Sequence, residues 1–165
     1  KLFDLIDGFR AKGGKVVFDP NYRPRLWPGP EHAQLWTDKA YSHSDIAFPG
    51  GDDHLASYGH TDVDAIHQHV ADLGVKEIIV KNGAVGVHIY EQDSHCIVPV
   101  ERVETVVDTT AAGDAFNGGY LSARLSGKDV TDSASFGAKV AATVISYPGA
   151  IVEKDAFYKH IAALS

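Results

Sequence analysis

Apolar residues recur at helical spacing in some stretches of this chain and run together in others. Leu2, Phe3, Leu5, Ile6 and Phe9 share one face, which predicts a helix over 1–12, stopped by Gly13-Gly14. The β-branched run after Lys15 predicts a strand over 15–18, ended by Asp19-Pro20. A helix is expected over 31–43, a strand over 45–48 and a turn at Pro49-Gly50-Gly51. Two short helices follow, over 52–58 and 62–73, the second with Val63, Ile66, Val70 and Leu73 on one side. Residues 77–81 read as a buried strand, and 85–90 with 95–100 as a hairpin turning through Gln92-Asp93-Ser94. Helices are expected over 113–126, 131–146 and 154–163, split by Gly127 and by Pro148-Gly149. Strands alternating with helices, then late helices, predict an α/β fold. Its sheet should be layered and mostly parallel, with helices on both faces and the hairpin at its later edge.

Length changes this picture little: 165 residues suit one domain, 1–165, with its own core. Net charge is −7, with 15 basic against 22 acidic residues. That is the wrong sign for a nucleic-acid or anionic-membrane surface, so no nucleic-acid and no membrane partner is expected. The single cysteine, Cys96, forms no internal disulfide and fits a reducing, cytoplasmic setting. No apolar run reaches the length of a membrane span and no basic-then-apolar leader is present. The sequence contains no methionine and opens directly in helical pattern. The expectation is therefore a partial domain whose N-terminal part is missing.

The segment from Asp108 to Leu121 carries the most chemistry. Small residues there let the backbone turn tightly into the helix that begins near Gly113. The N–H groups of Ala112, Gly113 and Asp114 would then face an anion, aided by the positive end of the helix dipole. An aspartate at that mouth repels phosphate, but it can accept a proton from a hydroxyl that attacks phosphorus. Donors for an anion and a carboxylate in one turn suit phosphoryl transfer to an alcohol. The plainer reading of Asp114 is a first-turn carboxylate satisfying the dipole.

A second group lies in the loop after the first strand, where Asn21 and Arg23 follow Asp19 at the sheet's carboxyl edge. Ligands bind at that edge in open α/β folds. Arg23 could clamp a carboxylate or phosphate through two parallel hydrogen bonds, or simply be a surface arginine in a Pro-rich loop. Lys81, Gly83 and Gly86 at the end of a later strand need mean no more than a hairpin. Ala138 and Ala142 at helical spacing are ordinarily close helix packing. No Gly-x-x-x-x-Gly-Lys-Ser/Thr motif occurs, so this is not a P-loop kinase. His67 and His69 are two apart on a helix, face different ways and make no metal pair; most of the nine histidines read as surface residues.

The Asp108 to Leu121 segment resembles the second signature of the PfkB (ribokinase-like) carbohydrate kinases over its whole length. The Asp19-x-Asn21-x-Arg23 element is similar to one in the same family. The stretches Arg10 to Trp27 and Tyr147 to Ile151 look most like its 2-keto-3-deoxygluconate kinase branch. The resemblance covers the whole chain but only the C-terminal half of the family's usual protein, without the small β-lid.

That resemblance implies a ribokinase-like fold and ATP-dependent phosphorylation of a sugar acid with Mg²⁺. It implies Asp114 as catalytic base, Ala111, Ala112 and Gly113 as anion hole, and Asn21 and Arg23 as substrate contacts. Lys81, Gly83 and Gly86 would lie along ATP, with Ala138 and Ala142 lining its adenine pocket. Asp53, at the place of a more usual Asn-x-x-Glu glutamate, would reach Mg²⁺ through water. Asp108 and Thr110 would mark a monovalent-cation site. The family's proteins are homo-oligomers, which implies the same of the whole protein. Two other readings stay open: another PfkB kinase of fructokinase or ribokinase type, or a catalytically silent nucleotide-binding fragment.

Overall fold

The computed structural model describes residues 1–92 and 94–163. The chain divides into two compact units, one of Lys1–Gly83 with Val87–Cys96, the other of Ala84–Gly86 with the residues from Ile97 onward. In chain order the first unit holds α1 (Leu2–Arg10), β1 (Val17–Phe18), α2 (Pro30–Tyr41), β2 (Ile46–Ala47), α3 (Gly51–Tyr58), α4 (Val63–Asp72), β3 (Glu77–Lys81) and β4 (Val87–Glu91). β5 (Ser94–Val98) completes the strands, and Asp93 of the expected turn lies outside the described residues.

The sheet has the order β1-β2-β3-β4-β5. β1, β2 and β3 run parallel, with Phe18 opposite Ala47 and Ala47 opposite Ile78. β4 runs antiparallel to β3, pairing Tyr90 with Ile78 and His88 with Val80. The expected layered α/β arrangement is present. β3 carries the β-branched run Ile78, Ile79 and Val80, all buried, as a central strand covered on both sides requires. Around it Tyr41, Ala47, Ile66, Val70, Val75 and Tyr90 form a core cluster, joined by Phe18 and Val63.

β1 and β2 are each two residues long, shorter than the four expected. The cause is side-chain competition with the ladder: the Val16 N–H donates to the Asp45 carboxylate at 2.8 Å. Past the strands the pattern continues loosely, with the Phe48 N–H on the Phe18 carbonyl at 2.9 Å. Pro49 has no N–H and ends β2. The helices stand within two residues of their expected ends. α4 starts one residue late because Asp62 is its cap, accepting the Ala65 N–H at 2.8 Å. Two single 3₁₀ turns, Pro24–Leu26 and Gly83–Val85, have no counterpart in the sequence pattern.

The second unit holds α5 (Ala112–Leu125), α6 (Val130–Ile145) and α7 (Lys154–Ala163). α5 and α6 approach closely through glycines. A Cβ on Gly119 would stand 2.9 Å from a Val140 methyl, and one on Gly137 would stand 2.9 Å from the Phe116 carbonyl oxygen. Phe116, Tyr120, Ala134, Val140 and Val144 are buried in this unit. The segment before α5 is tied to the end of α6, where the N–H groups of Val107 and Asp108 donate to the Ile145 carbonyl at 2.8 and 3.3 Å. Among the described residues no helix is long and apolar enough to cross a membrane.

Candidate active site

In the second unit the turn before α5 is built as the sequence predicts, with a difference in its donors. Ala111 caps the helix in the left-handed region, φ 59° and ψ 18°, which reverses the chain in one residue. The Ala112 N–H bends back to the Thr109 carbonyl at 3.2 Å, and Ala115 closes the first helical bond onto Ala111 at 2.8 Å. Among the described residues the N–H groups of Gly113 and Asp114 have no backbone acceptor outside the helix. They are donors that a first turn leaves over. Of the three expected donors, two therefore keep their N–H groups clear of other loop carbonyls. Asp114 is exposed in that same turn.

Asp108 holds the turn from behind. One carboxylate oxygen accepts the Thr110 N–H at 2.8 Å and the other the Gly149 N–H at 2.9 Å. The Thr110 hydroxyl, then these two amides, hold its carboxyl below the usual carboxylate range. Both oxygens of the expected cation ligand are therefore already engaged in bracing the loop. Ala138 and Ala142 are 8% and 4% exposed, so most of their surface serves packing. Gly86 is fixed by sterics: its φ is 132°, and a Cβ there would stand 2.8 Å from the Val98 carbonyl oxygen. Gly83 opens a 3₁₀ turn at φ 52°.

In the first unit, Asp19, Arg23, Asp53 and Lys81 gather where β1, β2 and β3 end. Asp19 follows β1, accepting the Asn21 N–H at 3.0 Å and the Lys81 ammonium at 2.6 Å. Lys81 is the last residue of β3. Asp53, in the first turn of α3, accepts the Tyr22 N–H at 3.1 Å. Tyr22 is buried, whereas Asn21 and Arg23 on either side are exposed. The ring thus anchors the loop while its neighbours are presented. Arg23 folds one guanidinium nitrogen onto the Tyr22 carbonyl at 2.8 Å.

Burial pushes the Asp53 carboxyl above its ordinary range and nearby Asp19 adds to this, while the Tyr22 amide, Arg23 and Lys81 pull the other way. Among the described residues no group of three or more His, Cys, Asp or Glu is placed to hold a metal. One Asp53 oxygen, Oδ2, is taken by the Tyr22 N–H.

The sequence pattern missed a polar cluster in the first unit. His54 is buried, its Nε2 2.9 Å from the Tyr41 hydroxyl and its Nδ1 3.2 Å from Nδ1 of His60. His69 and the Tyr58 hydroxyl share one oxygen of Asp38 at 2.9 and 2.7 Å. His67 stacks on Tyr90 with ring centres 3.8 Å apart, and Tyr90 on His95 at 4.2 Å. His67 and His69 do face different ways, but several histidines belong to clusters rather than to open surface. No spacing in the sequence signals this, since the partners come from separate elements.

The sequence pattern of the pfkB family of carbohydrate kinases matches residues 3–156. The 2-dehydro-3-deoxygluconokinase of Escherichia coli K12 is 42% identical over 159 residues, covering 94% of this chain and 52% of that protein. A fructokinase double mutant from Vibrio cholerae, with fructose, ADP and potassium bound, superimposes with a TM-score of 0.83. It is 27% identical, over 97% of this chain and 54% of that one. A ribokinase II from E. coli in complex with ATP and Mg²⁺ gives a TM-score of 0.77 at 28% identity, over 88% of this chain and 46% of that one. The chain spans about half the length of the relatives it matches. With a match of this extent, over a sheet and a helix-opening turn of the expected kind, the chain belongs to the pfkB family of carbohydrate kinases.

Proposed function

We propose that the whole protein transfers the γ-phosphoryl group of ATP to the primary hydroxyl of 2-keto-3-deoxygluconate, giving the 6-phosphate, and that this chain is its nucleotide-side half. The observation that carries the reading is the α5 turn: Ala111 in the left-handed region, two unclaimed amides and an exposed Asp114 within one helical turn. The choice of sugar rests on the 42% identity to a 2-dehydro-3-deoxygluconokinase.

In the proposed reaction Asp114 takes the proton from the attacking hydroxyl, whose oxygen forms the new bond to phosphorus as the bond to ADP breaks. The Gly113 and Asp114 amides, fixed before the reaction starts, stabilise charge on the transferred group. Asn21 and Arg23 bind the sugar acid, the guanidinium meeting its carboxylate. Gly83 and Gly86 lie on the ATP side, as do Ala138 and Ala142. Asp53 would hold Mg²⁺, which when bound would supply positive charge to offset that of the phosphates. The Asp108–Thr110 turn is proposed as the monovalent-cation site, with activity depending on K⁺.

The test is ADP release by the whole protein with ATP and Mg²⁺, offering 2-keto-3-deoxygluconate beside gluconate, fructose and ribose. Release with ketodeoxygluconate, lowered roughly 10² to 10⁴-fold in Asp114→Asn, is expected for a general base. Preference for fructose or ribose would replace the substrate and keep the base. Near-normal turnover in Asp114→Asn would remove Asp114 from the role. A second reading follows from the half-length coverage: expressed alone, the chain binds nucleotide and phosphorylates no sugar.

A further inference from the structure

We propose that Asp53 and the Lys81–Asp19 ion pair are positioning residues that set the loop carrying Asn21 and Arg23, so that both act on the sugar side of the reaction. This rests on the kinase reading above. The loop leaves β1 and at once takes an uncommon path, with Asn21 at φ 40°. Asparagine tolerates that region better than most residues, and the loop is further held in it by its surroundings. Three side chains from the ends of three adjacent parallel strands supply that constraint. Asp19, after β1, takes the Asn21 N–H at 3.0 Å. Asp53, in the helix that follows β2, takes the Tyr22 N–H at 3.1 Å. Lys81, ending β3, holds Asp19 at 2.6 Å and so fixes the acceptor for Asn21.

The side chains of Lys81 and Asp19 are only 20% and 21% exposed. A pair screened this well from water holds its geometry better than a surface pair. Its ammonium also lies 5.9 Å from the centre of the Phe48 ring, a second contact that keeps it in place. A lysine so committed has its charge neutralised, unlike one that reaches out as a free cation to a phosphate. Asp53 is likewise partly buried in the first turn of α3, with its Oδ2 committed to the Tyr22 N–H. The task of Asp53 toward the loop needs an oxygen acceptor, whereas any task toward Mg²⁺ needs the negative charge. An amide can do the first and not the second.

The test is steady-state kinetics of the whole protein, varying ketodeoxygluconate and ATP separately. Asp53→Ala should raise KM for the sugar acid roughly tenfold, the size of one lost hydrogen bond, whatever it does to the Mg²⁺ requirement. Asp53→Asn should recover most of that sugar KM, whatever happens to its Mg²⁺ requirement. Lys81→Met should also raise the sugar KM, and adding Asp19→Asn to it should cost little more, since the two act as one unit. A rise confined to KM for ATP in Lys81→Met would overturn the assignment of Lys81. An Asp53→Asn protein as poor in sugar KM as Asp53→Ala would overturn that of Asp53. Wild-type protein that phosphorylates no sugar at all would instead refute the kinase reading, which is a separate result.

Discussion

Ala111 and His54 show two ways in which single residues set this molecule's behaviour. Ala111 is held at φ 59°, a region that suits glycine. Ala111→Gly should therefore raise stability by about 0.5 to 1 kcal/mol, read from urea midpoints; a loss would show that the turn is not strained. His54 is buried between Tyr41 and His60. Among the described residues the Tyr41 hydroxyl has no other acceptor, so it donates to Nε2. Nδ1 of His54 then carries the proton and donates to His60.

Burial, then His60 and His69, push His54 down to about 3, from an ordinary value near 6.5. The folded state therefore keeps this ring neutral while the unfolded chain protonates it. Its contribution is complete above about pH 6.5 and is lost as pH falls from there toward 3. By pH 4.5 the loss is on the order of 2 kcal/mol. Urea midpoints between pH 7 and 4.5 should fall less steeply in His54→Gln than in the wild type; parallel slopes would clear His54 of this role. The turn at 111–114 was legible in the sequence because its parts are contiguous. The Lys81–Asp19 contact was not, because 62 residues separate its members and only the parallel sheet brings them together.

At the scale of elements, the helices were the easiest to read. Their boundaries are written locally, as with Asp129, which caps α6 by accepting the Asp132 N–H at 2.8 Å. The strands β1 and β2 were read too long because the Asp45 carboxylate that displaces a ladder bond gives no sign in a propensity pattern. Small residues on α6 were legible as close packing, and the contact distances to α5 give this a cost. A Cβ on Gly119 would also come within 3.0 Å of the Gly137 backbone. Gly119→Ala should destabilise by about 1 to 3 kcal/mol, as overpacking does. Combining it with Val140→Ala should recover part of the loss, because the Val140 methyl at 2.9 Å is then gone while its Cβ and the Gly137 Cα, both at 3.0 Å, remain. Additive losses in thermal melts of the double variant would show that the helices separate rather than clash. Gly86→Ala faces both a forbidden φ and a carbonyl oxygen at 2.8 Å, so no partner substitution should rescue it.

For the molecule as a whole, strand–helix alternation announced the parallel sheet, while strand order came only from the structure. Large apolar residues stay exposed: Leu5 at 73%, Leu26 at 79% and Leu35 at 63%. Exposed apolar surface of this kind favours association. Sedimentation of this chain alone should show concentration-dependent assembly, weakened in Leu5→Lys/Leu26→Lys; a monomer at all concentrations would show that water tolerates these side chains. A last consequence concerns Cys96, half-buried in β5 of a chain without methionine. It is the molecule's only sulfur atom. The rate at which a disulfide reagent consumes that thiol therefore reports on β5 alone, with no engineered label and no competing thiol in this sequence.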